Sequence, residues 1–435
     1  MLRIMAKRAI PKNGVDYRGK LVLAPMVRSG ECPSRLLALR YGADLVWGPE
    51  TVDKALIGTT RRVNPVTKTI DFTKPSASGA SNPNLASGQR ESVIFRLHPE
   101  QEGRRLIHQI GTANPATAVQ AAKLIAGDVA GIDVNAGCPK PFSTSGGMGA
   151  ALLQTPDTLC SILDALVAEV GIPFEIGISV KIRLLDTPEQ TAELVRKLVA
   201  TGITGLTLHC RTTPMRPRER AIRDQLRMVG DICREAGVAC LMNGDVTSRE
   251  EANKLVQEYG VDGAMIATAA ETNPSCFRLE ADGGRAPWEE IVKEYVKLAM
   301  SVENRWGNTK YLLGQMIPGK SPCYRPMNQS KTYTDLVKIM NYDEEYLAMA
   351  EAVDQRLETS IKKETRAEKK AKNKAGGADS KASTTRAPQQ NTRSEGTDAN
   401  KKRKYDDARL DAMPDDIARE TAPGTMESNP TQLLV

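Results

Sequence analysis

The chain is poor in the residues that build metal centres and disulfide scaffolds. Its 435 residues include three histidines and eight cysteines, and no two cysteines form a CxxC pair. Zinc sites depend on closely spaced Cys and His ligands, so the sequence argues against a metal site. Unpaired cysteines without a secretory signal are typical of proteins from a reducing compartment.

Long apolar runs and aromatic residues are also scarce. No run of about 18 apolar residues is present, which is the length that a membrane-spanning helix requires. Aromatic residues make up 4% of the chain, which argues against an aromatic-lined channel for single-stranded nucleic acid. The net charge of +7 weakly favours a polyanionic partner, although a lysine-rich tail supplies part of it.

Compartment and assembly are predicted only from these general features. The N-terminus, MLRIMAKRAIPK, is basic but brief and free of serine, which disfavours a mitochondrial presequence. We expect a cytoplasmic protein, with a nuclear pool as an alternative because KKRK at 401–404 resembles a nuclear signal. We also expect a monomer that does not bind membranes.

Short apolar runs alternate with amphipathic segments from about residue 20 to residue 280. The runs are rich in Val, Ile and Leu and lack strict alternation, as strands buried on both faces should. They are LVLAPM (21–26), ADLVWG (43–48), LIHQIG (106–111), GIDVNA (131–136), ISVKIR (178–183), GLTLHC (205–210), VACLMNG (238–244) and GAMIATA (263–269). Eight such units predict a (β/α)8 TIM barrel, and the alternative, a doubly wound sheet, would be unusually long.

The rest of the chain divides around this barrel. We predict an N-terminal extension (1–19), the barrel (20–284), a small helical domain (285–358) and a disordered Lys-rich tail (359–435), whose composition cannot support a core. Within the barrel, residues 59–90 are polar and rich in Gly, Ser and Pro in their second half, which predicts an inserted loop. The strand after it, VIFRL (93–97), is predicted to form a hairpin onto the barrel.

Polar side chains follow the ends of most predicted strands, where barrel enzymes carry their active sites. Amide, cationic and imidazole groups on one rim can stabilise a reduced flavin, and glycine-bearing turns after strands seven and eight match a phosphate site. These residues are Pro25 and Met26, Gln109, Asn135, Lys181, Arg183, His209, Arg211, Asn243-Gly244-Asp245 and Ala267-Thr268. The pattern therefore suits flavin mononucleotide (FMN).

Each of these residues also has a simpler interpretation. Lys181 could be a surface charge, His209 a core histidine, and Gln109 a residue that bonds the neighbouring strand. The segment Asn243-Gly244-Asp245 could be only a turn.

Cys138 lies where the fourth predicted strand ends. Pro139 follows it, and the glycine-rich segment 146–149 comes shortly afterwards, which predicts a loop that can close over a substrate. A thiol of ordinary pKa stays protonated near neutral pH and can act as a general acid. The alternative is that Cys138 is a small hydrophobic residue in a turn.

Several of these segments resemble the dihydrouridine synthases, flavin enzymes that reduce uridine in tRNA. The resemblance covers about residues 20–340. It is carried by LAPMVRSG (23–30), HQIGT (108–112), GIDVNAGCPK (131–140), SVKIR (179–183), LHCRT (208–212), NGD (243–245), NPSCF (273–277) and NTKYLLGQM (308–316). The long form of the fourth segment is similar to the eukaryotic branch that modifies uridine 20 of the D-loop.

The resemblance implies a role for each matched residue. Pro25, Met26 and Val27 would line the flavin, and Gln109, Lys181 and His209 would contact its ring or ribityl edge. The phosphate would be held by Asn243, Gly244, Asp245, Ala267 and Thr268, and the tRNA substrate by Asn135, Lys140, Arg183 and Arg211. NADPH would reduce FMN, the hydride would pass from flavin N5 to uracil C6, and Cys138 would protonate C5 of a base pulled out of the folded tRNA.

Three departures from the family pattern stand out. Thr268 replaces a usual arginine, Asp245 replaces a common glycine, and we expect no double-stranded RNA-binding domain of the kind that animal relatives carry. The helical domain and the tail would then grip the tRNA, helped by Arg216, Arg218 and Arg220, unless those arginines only form a solvated loop. Two other functions remain open: a small-molecule flavin oxidoreductase of the dihydroorotate dehydrogenase type, and a non-catalytic RNA-binding barrel.

Overall fold

The fold was analysed in a computed structural model that describes residues 9–75, 91–216 and 218–357. The described residues contain twelve strands in two sheets, one parallel and one antiparallel. The strands are β1 (Leu21–Leu23), β2 (Leu45–Trp47), β3 (Thr51–Val52), β4 (Thr60–Val63), β5 (Ile70–Pro75), β6 (Glu91–Leu97), β7 (Leu106–Gly111), β8 (Gly131–Ala136), β9 (Gly177–Leu184), β10 (Gly205–Thr212), β11 (Ala239–Asn243) and β12 (Gly263–Ile266).

The parallel sheet closes on itself to form a barrel. Its order is β2-β1-β12-β11-β10-β9-β8-β7, and β3 adds a short stretch to β7. Closure comes from pairing of β2 with β7, where Val46 lies opposite Leu106 and Trp47 opposite Ile107. The predicted TIM barrel is therefore confirmed, each of the eight apolar runs overlaps one barrel strand, and the doubly wound alternative is wrong.

Helices connect the strands and continue after the barrel. The α-helices of the described residues are α1 (Cys32–Arg40), α2 (Asp53–Leu56), α3 (Pro99–Glu102), α4 (Pro115–Ile125), α5 (Pro141–Thr144), α6 (Pro156–Leu166), α7 (Ile172–Phe174), α8 (Pro188–Ala200), α9 (Leu226–Glu235), α10 (Arg249–Tyr259), α11 (Thr268–Thr272), α12 (Trp288–Ser301), α13 (Trp306–Met316), α14 (Tyr324–Gln329), α15 (Tyr333–Ile339) and α16 (Glu344–Arg356). Short 3₁₀ turns lie at Gly103–Arg105, Ala126–Asp128, Gly149–Gln154, Pro274–Phe277 and Glu280–Asp282, and a π-helical turn lies at Val167–Gly171.

Local sequence signals set the ends of the outer helices. Thr187 and Gln190 form a reciprocal capping box at the start of α8. Ser248 accepts a hydrogen bond from the Glu251 N–H at the start of α10, and Gly260 ends that helix in the left-handed conformation. These caps let the helices start and stop where the strands require them, so each helix can lay its apolar face on the barrel wall.

The amino ends of the strands are closed by an aromatic ring from the N-terminal segment. Tyr17 is 1% exposed. A Cβ atom on Gly205 would lie 2.7 Å from Tyr17 Cδ2, and one on Gly131 would lie 3.0 Å from its hydroxyl. Glycine at these strand starts therefore makes room for the ring, and the segment before residue 20 contributes to the barrel core.

The predicted loop at 59–90 differs from the structure in its first part. Residues 60–63 and 70–75 are the strands β4 and β5, and VIFRL lies within β6, which pairs with β5 in a separate antiparallel sheet. The predicted hairpin onto the barrel is therefore wrong. All four residues of β4 are exposed, so the strand lacks the apolar alternation that would have shown it in the sequence. The remainder, 76–90, lies outside the described residues.

The helices α12–α16 share a core with the barrel's first helix. Leu36 and Leu37 of α1, and Tyr41 directly after it, belong to the same apolar cluster as Tyr295 and Leu313. The helical region and the barrel form one compact unit. The predicted tail lies outside the described residues, and no helix within them is both long and apolar enough to span a bilayer.

Candidate active site

A cavity of about 330 Å³ opens at the carboxyl ends of the barrel strands. Thirteen of the sixteen residues that the sequence predicts for the site line it, and Gly244, Asp245 and Arg211 do not. The lining residues are Ala24, Pro25, Met26, Val27, Ser29, Glu50, Gln109, Asn135, Gly137, Cys138, Pro139, Lys140, Phe142, Lys181, Arg183, His209, Asn243, Ala267, Thr268, Glu271 and Tyr311. The cavity volume lies within the range of small-molecule sites.

Cys138 is held at this cavity by a tightly bonded turn after β8. The side-chain oxygen of Asn135 accepts hydrogen bonds from the N–H groups of Gly137 (2.9 Å) and Cys138 (3.0 Å). Arg183 Nε donates to the Gly137 carbonyl over 2.7 Å, and the Ala150 N–H donates to the Cys138 carbonyl over 2.9 Å. Asn135 and Arg183, both predicted to bind substrate, thus also fix the backbone that carries the thiol.

The surroundings of Cys138 favour the protonated thiol. Burial raises the pKa of Cys138, and the nearby Glu50 carboxylate raises it further, whereas the charges of Lys140 and Arg183 act in the opposite direction. The net effect is a raised pKa, so the group carries its proton at neutral pH. A half-buried thiol in this state can donate a proton to a molecule in the cavity.

Lys181 and His209 place a cation and a neutral imidazole in the same cavity. Burial, together with the charge of Arg183, lowers the pKa of Lys181 to about 8. Burial and the charges of Lys181, Arg183 and Arg211 lower the pKa of His209, so its ring is neutral at physiological pH. Arg211 Nη1 lies 3.3 Å from His209 Nε2; because a guanidinium only donates, that nitrogen accepts and Nδ1 carries the hydrogen.

Gln109 is bonded within the barrel interior as well as facing the cavity. Its Nε2 donates to Asp133 over 2.8 Å, and Ser179 Oγ donates to the other oxygen of the same carboxylate over 2.7 Å. Burial raises the pKa of Asp133 to about 6, although these hydrogen bonds oppose the shift. The predicted cavity residue and the simpler interstrand interpretation therefore both hold for Gln109.

The turn after β11 is built on positive backbone angles and charge pairing. Gly244 has φ +114° and Asp245 has φ +50°. Asp245 accepts from Arg211 Nη2 over 2.5 Å and from the Ala221 N–H over 2.7 Å, and Arg223 Nη2 donates to the carbonyls of Gly244 and Asp245. Arg211 thus neutralises the carboxylate, and this interaction occupies the arginine that the sequence had predicted to contact substrate.

The sequence did not predict several residues at the cavity. Tyr311 lies on α13, and the guanidinium of Arg28 lies over its ring, with Arg28 Cζ 4.3 Å from the ring centroid. Glu271 accepts a hydrogen bond from Ser29 Oγ. Glu50 lies three residues after β2, behind Gly48-Pro49, so the signal that could have found it is a carboxylate close to a strand end. No local pattern showed that α13 reaches the barrel mouth.

The remaining features of this region are the arginines predicted to contact tRNA and the arrangement of possible metal ligands. Arg216, Arg218 and Arg220 are exposed and do not line the cavity. Within residues 9–75, 91–216 and 218–357, no group of three or more His, Cys, Asp or Glu side chains is arranged to hold a metal ion.

Comparison with known proteins identifies relatives of this chain. The dihydrouridine synthase (Dus) family profile matches residues 83–376. A Schizosaccharomyces pombe protein named tRNA-dihydrouridine(20) synthase [NAD(P)+] is 50% identical over 74% of this chain, and the match spans 65% of that protein, slightly under two thirds of its length. The Saccharomyces cerevisiae protein of the same name is 46% identical over 73% of this chain and 82% of its own length.

More distant relatives carry other position labels. The Saccharomyces cerevisiae tRNA-dihydrouridine(20a/20b) synthase [NAD(P)+] is 26% identical over 62% of this chain and 65% of its own length. The family profile covers well over half of the chain, and all the matched segments except NPSCF (273–277) contribute residues to the cavity described above. The chain therefore belongs to the dihydrouridine synthase family.

Proposed function

We propose that the protein reduces a uridine of tRNA, at position 20 of the D-loop, to 5,6-dihydrouridine. The observation that carries this proposal is the protonated Cys138 thiol, held by a bonded turn at a cavity lined with amide and cationic groups. The names of the two yeast relatives support the position, since they are more similar to this chain than the 20a/20b enzyme is.

The cavity residues fit FMN as the resident cofactor. No hydrogen bond or ion pair of Lys181 is found among the described residues, so its ammonium group is available to an electron-rich ring or an anionic partner. The arginines beside the β11 turn balance the charge of Asp245, which removes the repulsion that a phosphate would otherwise meet there. A flavin bound there and reduced by NADPH would supply the hydride that the reaction requires.

The chain's own residues would handle the proton and the orientation of the base. Saturation of the uracil C5–C6 bond adds one hydride and one proton, and the Cys138 thiol would deliver the proton to C5. Asn135 and Arg183 hold the backbone of residues 137 and 138, so the sulfur stays fixed while the base enters. Lys140 and Phe142 lie on the same loop at the cavity and are available to contact the entering nucleotide.

The substrate would have to leave the folded tRNA to reach the barrel mouth. We infer that exposed Arg216, Arg218 and Arg220 contact phosphates, together with the helical region, whose Tyr311 borders the cavity. The free state of all eight cysteines supports a reducing compartment, for which the cytoplasm is our proposal.

Purified protein tests this function directly. We expect a yellow protein that releases FMN on heating, and NADPH oxidation that is stimulated by tRNA lacking dihydrouridine but not by tRNA that already carries it. Sequencing-based mapping in cells without the protein should then show loss of dihydrouridine at position 20. A colourless protein that takes up no FMN would contradict the proposal, and rapid NADPH oxidation by a small molecule without tRNA would favour the dihydroorotate-type alternative.

A further inference from the structure

Glu50 occupies an unusual place beside the thiol. It follows β2, and its side chain lines the cavity. Ser143 Oγ donates to Glu50 Oε1 over 3.0 Å, while Oε2 is buried and accepts no well-formed hydrogen bond within the described residues. A Cβ atom on Gly111 would overlap Oε1, so glycine at the end of β7 creates the space for this carboxylate. The protein thus maintains a buried, incompletely bonded acid at its candidate active site.

The same carboxylate is connected to the backbone of the cysteine loop. Ser143 lies on α5, three residues beyond Lys140, and the loop closes where the Ala150 N–H meets the Cys138 carbonyl. A Cβ atom on Gly149 would overlap Ser143 Oγ and lie 2.6 Å from that carbonyl, so the closure is tight. The Asn135 and Cys138 side chains also lie within reach of Glu50.

Burial is the largest cause of the raised pKa of Cys138, and the charges around the thiol show what an acid adds there. Lys140 on its own loop and Arg183 and Lys181 on β9 all act on the thiol, and each favours a thiolate. The imidazole of His209 on β10 is neutral and does not offset them. A thiolate has no proton to donate, so three cations without a counter-charge would work against a proton donor. Glu50 is the acidic side chain that acts on Cys138 in this structure.

We propose that Glu50 is a positioning residue for Cys138: it anchors the cysteine loop through Ser143 and keeps the sulfur in its proton-bearing form. Cations that suit an electron-rich cofactor and an anionic substrate can then coexist with a proton donor in one cavity. The inference deepens the proposed function and rests on it for the destination of the proton, but not for the state of the thiol.

The test is the pH dependence of Cys138 alkylation in the flavin-loaded protein. Iodoacetamide reacts with thiolates, and mass spectrometry of the Cys138 peptide separates this cysteine from the other seven. Glu50→Gln keeps the side-chain shape but removes the charge. We expect the midpoint of the Cys138 alkylation profile to fall by about one pH unit in this variant. At a given pH below the midpoint, the thiolate fraction would then be roughly tenfold higher. Ser143→Ala, which keeps the charge and loosens the anchor, should shift the midpoint less but speed alkylation at every pH.

Glu271→Gln is the matched control, because Glu271 also lines the cavity but is not among the groups that act on Cys138. The midpoint of Cys138 alkylation in Glu271→Gln should equal that in the wild type. The alkaline limb of the pH profile for dihydrouridine formation should move with the Glu50→Gln midpoint, which a purely structural defect would not produce. An unchanged midpoint in folded Glu50→Gln protein overturns the inference even when tRNA is modified, whereas absence of dihydrouridine formation by the wild type overturns the proposed function instead.

Discussion

The two ends of the barrel are made by the same strands with opposite chemistry. At the amino ends, β8, β9 and β10 begin with glycine, and the ring of Tyr17 fills the space that they leave. At the carboxyl ends, the same strands carry or lead to Asn135, Lys181 and His209, and a cavity remains open among them. One end is packed as a core, and the other presents polar groups to an open cavity.

The two ends of each strand therefore contribute differently: the closed end mainly to stability, and the open end mainly to the chemistry of the cavity. The closed end gains from dense apolar packing, whereas the open end carries titratable groups whose pKa values burial has shifted. We therefore expect substitutions at the closed end to change the free energy of unfolding with little change in activity per folded molecule. Substitutions at the open end should do the reverse, and some should stabilise the protein.

The largest effect is expected at the open end, from Cys138→Ala. Loss of a general acid typically costs about 10²- to 10⁴-fold in rate, so dihydrouridine formation should fall by that factor. Flavin content, its reduction by NADPH and thermal stability should stay near wild type. Cys160→Ala, on α6 and away from the cavity, is the control and should keep full activity. An unchanged dihydrouridine yield in Cys138→Ala would remove the thiol from the mechanism.

Tyr17→Ala tests the closed end. Removing a buried aromatic ring typically lowers the free energy of unfolding by about 3–5 kcal/mol, and urea denaturation should show a loss in that range. Activity per folded molecule should change little, because Tyr17 lies at the opposite end of the strands from the cavity. Tyr17→Phe keeps the ring and should lose much less stability. A variant that folds normally but loses activity would break the proposed separation of the two ends.

Lys181→Met should change stability and activity in opposite directions. Burial of a cation is unfavourable, and no ion pair of Lys181 is found in the part of the chain that the structure describes. The variant should therefore gain about 1 kcal/mol in free energy of unfolding at neutral pH while losing activity. The pKa of Lys181 is about 8 in the folded protein and 10.5 ordinarily, so between these values the unfolded chain binds more protons. Wild-type stability should therefore rise across that interval, and the advantage of the variant should shrink.

Denaturation of both proteins at neutral pH and near pH 10 measures this convergence. Lys181→Arg, which keeps the positive charge, serves as the control and should gain no stability at neutral pH. A constant difference between wild type and Lys181→Met across the interval would show that the charge of residue 181 has no energetic consequence.

The sequence was sufficient for the barrel and for most of the cavity because both depend on local pattern. Apolar runs located the eight strands, and the strand ends then located Gln109, Lys181 and His209. The family resemblance predicts that Arg211 binds substrate, and this stays a prediction. Its ion pair with Asp245 was not predicted, because it joins residues 34 positions apart, which no periodicity reveals. The strand β4 was missed because its four residues are all exposed.

Tyr311 and Glu50 were missed for different physical reasons. Tyr311 reaches the mouth because α13 packs against α11 at the barrel, a tertiary contact without a local signal. Glu50 follows Gly48-Pro49 and so has the sequence of an ordinary turn; its role depends on Ser143, a partner 93 residues away.

Asp133, between the two ends of the barrel, provides the smallest and most specific prediction. Its pKa is about 6 in the folded protein against 3.8 ordinarily, so between these values the folded protein binds more protons than the unfolded chain. Wild-type stability should therefore fall as pH rises from about 4 to about 6. In Asp133→Asn this contribution is absent, while the amide oxygen can still accept the bond from Gln109. Urea denaturation at both pH values should thus show a steeper loss in the wild type than in the variant. Equal losses would mean that the carboxyl group of Asp133 titrates as if it were in water. The hydrogen-bonded group of Asp133, Gln109 and Ser179 would then have to be accessible to solvent.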